Sequence, residues 1–203
     1  MNDAGRWGWT SLATLVAIVM AGAAEAHTLG AAAAGFSAGL AHPLAGIDHL
    51  LAMIAIGLWA VQNAERSGRA AALYLVPAAF VGMMALGGVA TMMELPLPEV
   101  ETGILGSVVV LGLLIAVAPQ MPIAVGMAIA GAFALFHGHA HGSEVPEAAS
   151  AALYALGFLL TTAFLHGIGI ALGLILQTGR SRLVGRLGGA GIAAAGVALY
   201  IFS

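Results

Sequence analysis

The sequence predicts an all-α protein: a polytopic membrane helical bundle with about six transmembrane helices after a cleaved signal peptide. Composition is the first observation behind this. Of 203 residues, 61% are hydrophobic and only 7% charged, against roughly 25% charged in an average soluble domain. Distribution is the second. The apolar residues fall into blocks of about 20, enough for each to cross a bilayer core of about 30 Å, with short polar connectors between them.

The counts also exclude several classes. The chain has no cysteine, which removes disulfide frameworks, zinc ribbons, iron–sulfur clusters and thiol nucleophiles. All six basic residues are arginine and the net charge is -3, so the basic footprint that nucleic-acid binding requires is missing.

At the N-terminus, Arg6 lies in a short polar region, Thr10 to Ala23 form an apolar run, and Ala24-Glu25-Ala26 has small residues where a signal peptidase reads. Residues 1–26 therefore read as a signal peptide, with an uncleaved first span as the alternative. Residues 27–203 read as a single transmembrane domain that begins at His27.

The six spans of that domain are expected at about 31–62, 70–91, 103–118, 122–138, 149–176 and 187–202. Arginine placement orients them, because short cytoplasmic loops carry the positive residues. With His27 outside, Arg66 and Arg69 fall in one inner connector and Arg180, Arg182 and Arg186 in another. Both mature termini then lie outside, and the outer connectors hold Glu94, Glu99, Glu101, Glu144 and Glu147. Such a ring of carboxylates concentrates cations at the outer face. Glycine is frequent within the spans, as at Gly126, Gly131, Gly169 and Gly173, and predicts close approach of helix backbones.

The first span carries the chemistry. One straight helix over 31–62 would measure nearly ~50 Å, well beyond the bilayer core. Pro43 disfavours α geometry at His42 and leaves the Gly39 carbonyl without its helical donor, while Gly46 loosens the same turn. A break is therefore expected near His42, and broken helices in membranes line polar cavities and transport sites. Asp48 is the only acid within a span, and an intramembrane acid marks transport or a relay. In HPLAGIDHLLAM it is flanked by His42 and His49, with Met53 a turn further on. Imidazole, carboxylate and thioether together describe a transition-metal site of borderline softness.

The second cluster is FHGHAHGSE, residues 136–144. If the helix continues, His137 and His141 share a face; if the glycines open it into an extended strand, His137, His139 and His141 all do. Either arrangement chelates. His166, mid-span in TTAFLHGIGIALG, is a ligand or relay candidate, with Thr162 one turn earlier as a hydrogen-bond partner.

HPLAGIDHLLAMIAIGLWA, following a signal peptide that ends before His27, resembles the signature of the HupE/UreJ family of nickel and cobalt permeases, and FHGHAHGSE resembles its second motif. The resemblance covers essentially the whole mature chain. It implies that His42, Asp48, His49, His137 and His139 serve a transported ion, Ni2+ or Co2+, in the supply of hydrogenase or urease maturation. It further implies a bacterial inner-membrane carrier or facilitator without an ATPase, so that 27–203 is a transport domain. The implied partners are the divalent ion and the lipid bilayer, with homo-oligomers and a cytoplasmic nickel chaperone as further candidates. No resident cofactor is expected.

His27, if exposed by cleavage, offers its α-amine and imidazole as an outer chelate. No Walker motif GxxxxGK(S/T) is present, so no ATP hydrolysis is expected in this chain. Two other classes compete. Haem held between imidazoles on facing helices would make an electron carrier or anchor. An intramembrane enzyme would need an HExxH or GxSxG motif, and both are missing.

Overall fold

A computed structural model describes residues 31–146, 150–176 and 181–202. The signal-peptide segment 1–26, His27, Glu147 and Arg180 lie outside the described residues. Seven helices follow one another: α1 (Ala31–Ala45), α2 (Ile47–Ser67), α3 (Ala72–Met92), α4 (Val100–Val117), α5 (Ile123–Ser143), α6 (Ala151–Leu176) and α7 (Ser181–Phe202). The six from α2 to α7 are long and apolar enough to cross a membrane, and there is no strand among the described residues.

The first span is broken as expected, but at Gly46 rather than at His42-Pro43. Proline lacks the N–H for the Gly39 carbonyl, yet its fixed φ suits a helix, so α1 continues to Ala45 with Pro43 inside it. Gly46 then adopts an extended conformation, φ -97 and ψ 121, and α2 starts afresh. Asp48, in its first turn, accepts a hydrogen bond from the His49 backbone N–H at 2.8 Å, where a helix dipole favours an acid. The helix closes at Gly68 (φ 68), whose N–H caps the Ala64 and Glu65 carbonyls.

Several boundaries differ from expectation. Helix α2 runs on to Ser67, so Arg66 lies in its last turn, and α4 starts at Val100, so Glu101 lies in its first turn, rather than in connectors. Helix α5 runs on to Ser143, which resolves the choice left open for FHGHAHGSE in favour of helix. The reason is tertiary: Gly138 and Gly142 lie directly on Met84, Gly88 and Thr91 of α3, and such packing outweighs glycine's poor helix propensity. Helix α7 starts at Ser181, so Arg182 and Arg186 lie on its first turns instead of in a connector. Arginine is a good helix former, and both are anchored: Arg186 Nε donates to the Ala116 carbonyl at 2.6 Å and Arg182 lies 3.8 Å from Glu65.

The helices associate in three pairs. Both halves of the broken span run parallel to α6, Gly39 against Tyr154 and Phe158, then Gly57 against His166 and Gly169. Helix α3 runs parallel to α5, with Met83 beside Gly131 and Thr91 beside Gly142. Helices α4 and α7 are antiparallel, Gly112 meeting Gly189 and Ala193 while Gly196 meets Val108 and Val109. A Cβ at Gly57, Gly138 or Gly169 would fall on a neighbouring carbonyl, so these contacts require glycine.

Trp59, Phe80, Met53, Ile56, Met84 and Leu111 fill the centre. Tyr74, Leu113, Ile175, Leu187 and Ile201 face outward, giving the apolar exterior that a bilayer covers. One end of the bundle carries Glu94, Glu99, Glu101 and Glu144. The other carries Arg66, Arg69, Arg182 and Arg186.

Candidate metal site

The break at Gly46 and the unbroken α5 bring imidazoles from separate helices together beside α6. His49 of α2 with His137 and His141 of α5 each offer one ring nitrogen, and these nitrogens lie within 4.8 Å of one another. Ring centroids are 4.3 Å apart for His49–His141 and 5.1 Å for His49–His137. His42 of α1 joins from the other side, 4.7 Å from His141, and a second group of possible ligands is His42, His141 and Glu144. The four imidazoles form a ladder from Glu144 into the bundle: His42, His141, His49, His137.

The outermost rung is the most exposed and the innermost is fully buried. The side chain of His42 is 29% exposed and that of His49 12%, whereas His141 is 3% and His137 0% exposed. His49 Nδ1, His137 Nδ1 and His141 Nε2 are buried without a hydrogen-bond partner among the described residues. Unpaired buried polar atoms are costly and call for a partner.

The hydrogen bonds fix which nitrogens carry lone pairs. Ser107 Oγ donates its single proton to the Ile104 carbonyl at 2.6 Å. Its oxygen, 3.0 Å from His137 Nε2, must therefore accept the ring N–H. His137 then presents a bare Nδ1. Likewise Glu144 Oε2, 3.1 Å from His141 Nδ1, accepts a proton there and leaves Nε2 bare. An outer partner that fixes the tautomer and basicity of a histidine is the usual support of a metal ligand. Glu144 Oε2 also lies 2.8 Å from His42 Nε2. The hydrogen bond from His141 holds the Glu144 carboxyl below its usual range, with partial burial opposing and His42 assisting.

The other candidates are not among the clustered ligand groups. The Asp48 carboxylate is bound to the His49 backbone, with Oδ1 3.7 Å from His49 Nδ1, and lines a separate cleft with Glu101 and Phe202. Helical geometry turns His139 away from His137 and His141; its Nε2–H donates to the Leu95 carbonyl at 2.9 Å, and its own carbonyl accepts from Thr91 at 2.8 Å. His166 is 2% exposed and has both nitrogens unpartnered. Thr162, expected as its partner, is also unpartnered among the described residues. Phe80 lies between the two levels, its ring 5.6 Å from His137 and 5.1 Å from His166.

Sequence reasoning missed Ser107, Phe158 and Tyr154. Phe158 packs on His141 at 4.1 Å and Tyr154 on His42 at 5.9 Å. Ser107 had a legible signal, a lone hydroxyl within the apolar run GILGSVVVLG; the two aromatics had none that separated them from ordinary core residues.

Fold and site together define a polytopic helical membrane protein with a buried, multi-helix imidazole cluster. The chain matches the family described as HupE / UreJ protein over residues 15–199. It is also 43% identical over 188 residues to Protein HupE of Rhizobium leguminosarum bv. viciae, covering 93% of this chain and 95% of that relative. The chain belongs to the HupE/UreJ family, whose members are generally nickel/cobalt transporters. No solved structure matches it.

Proposed function

We propose that the chain is a transition-metal permease that takes up Ni2+, with Co2+ as the alternative cargo, across the bacterial inner membrane to supply hydrogenase or urease maturation. The observation that carries this is the meeting of His49, His137 and His141 nitrogens within 4.8 Å inside a membrane bundle. Imidazole suits nickel and cobalt, and hard cations such as Mg2+ prefer oxygen. The imidazoles touch edge to face, so no gap for a planar macrocycle lies between them, and the haem reading gains no support.

In this reading the carboxylate end is periplasmic and the arginine end cytoplasmic, following the positive-inside rule. The mature chain then begins outside at His27, an outer capture ligand, and also ends outside. A hydrated ion is drawn to Glu94, Glu99, Glu101 and Glu144. It exchanges water for His42 and His141, then passes to His49 and His137. Asp48 orients His49 and offsets the ion's charge, and His139 pins the Leu95 connector over the entrance. Exit runs past His166. The membrane potential drives a cation inward with about 2.3 kcal/mol per charge per 100 mV, so no nucleotide is required.

The test is accumulation of trace nickel and cobalt in cells carrying the intact protein or an equally expressed Asp48→Ala/His49→Ala variant. Uptake by the intact protein and its loss in the variant support the permease. Accumulation equal to that of cells without the protein, for both, overturns it.

A further inference from the structure

The path described above reaches His166 and leaves unassigned the buried polar groups between it and the arginine end. Asn63 is 2% exposed, and neither its Oδ1 nor its Nδ2 has a hydrogen-bond partner among the described residues. The adjacent Gln62, 7% exposed, donates Nε2–H to the Ile115 carbonyl at 3.2 Å and leaves Oε1 unpartnered. A wholly unsatisfied buried amide is costly, and an apolar residue would pack there without that cost.

Register places Asn63 relative to the ladder. Phe80 of α3 touches the rings of both His137 and His166. Val76, one turn earlier in α3, meets Asn63 and Trp59 around Gly126, where a Cβ would lie 2.6 Å from Asn63 Nδ2. Gly57 of α2 packs on His166 and Gly169, and Asn63 lies six residues, ~9 Å, further along α2 toward the arginine end. Gly126 leaves the room its amide occupies. Gln62 then opens onto a cleft of about 580 Å³ that it lines with Glu65, Arg66, Ala118, Arg182 and Arg186.

We propose that Asn63, backed by Gln62, is the release station of the path: a neutral amide oxygen that receives a partly hydrated divalent cation from His166 and delivers it to this cleft. The proposal rests on the permease reading above. Imidazoles hold nickel firmly, and conduction requires a later station weak enough for the ion to leave. An uncharged oxygen donor is such a ligand for a borderline ion. The remaining hydration water donates outward from the ion, and the unpartnered Gln62 Oε1 is the acceptor for it; the arginines at the mouth oppose return of a cation.

The experiment compares Asn63→Leu with the intact protein in two measurements: equilibrium Ni2+ binding to the purified protein and initial Ni2+ uptake in cells. The proposal predicts unchanged binding with uptake reduced about tenfold, the scale of losing one buried polar contact. Unchanged uptake in Asn63→Leu overturns it. If Asn63→Leu has lost binding and therefore its fold, Asn63→Met, unbranched and more easily accommodated, decides by the same two readouts. Absence of Ni2+ binding or uptake in the intact protein would refute the permease reading itself and is thereby distinguished.

Discussion

The Ser107 hydroxyl oxygen accepts the Nε2–H of His137 at 3.0 Å while giving its own proton to the Ile104 carbonyl. A side chain of α4 thus sets the tautomer of a histidine on α5 and turns its lone pair into the cluster. Replacing Ser107 with alanine should lower Ni2+ affinity by about ten- to a hundredfold, the range for loss of such outer partners, with the helical content unchanged. Titration against a competing chelator measures this; an unaltered affinity would show that the hydroxyl does not support a ligand.

Glu144 joins two rungs, since its Oε2 meets both His42 Nε2 and His141 Nδ1. Glu144→Gln retains the shape and removes the charge that makes these hydrogen bonds strong. The nickel concentration for half-maximal uptake should rise several-fold, with the maximal rate much less affected, because the residue stands at the entrance. Concentration-dependent uptake separates the two parameters.

Acid should inhibit uptake. Imidazole binds metal only when neutral, so protons and nickel compete for the ladder and rates should fall as the medium is acidified. Glu144 does not produce this fall. Its carboxyl is held below its usual range, first by the hydrogen bond from His141, so it remains ionised down to below the ordinary value of about 4.3. Glu144→Gln should accordingly keep the same downward trend, and uptake that climbs toward pH 5 would contradict histidine ligation.

Gly138 separates His137 from His139 and lies against the Met84 carbonyl, where a Cβ cannot fit. Gly138→Ala should force α3 and α5 apart, lowering both thermal stability and Ni2+ affinity. Gly188→Ala is the control: nothing lies within 4 Å of a Cβ there, and alanine favours helix over glycine. Thermal unfolding and nickel titration of the two variants give the comparison.

Much of this architecture was legible in the residues. Apolar blocks punctuated by arginines and glutamates marked the spans, and Pro43 with Gly46 marked the break within a few residues. The position at Gly46 was harder to read, because proline permits the helical φ that it is usually taken to end. Periodicity could not decide whether FHGHAHGSE is helix or strand, since the deciding contacts, Gly138 on Met84 and Gly142 on Thr91, come from another helix. The joining of His42 to His141 was hidden for the same reason: parallel packing of α1 and α2 along α6 leaves no trace in either segment. Asn63, next to the charged Glu65-Arg66 pair, looked like the solvated end of a span, yet it is 2% exposed.

The most direct test of the central claim is X-ray absorption at the nickel edge of Ni2+ bound to the purified protein. The account predicts imidazole scattering from His49, His137 and His141, with one imidazole fewer in each single His→Ala variant. Nickel ligated by oxygen donors alone, or an imidazole count unchanged when all three histidines are replaced, would contradict it.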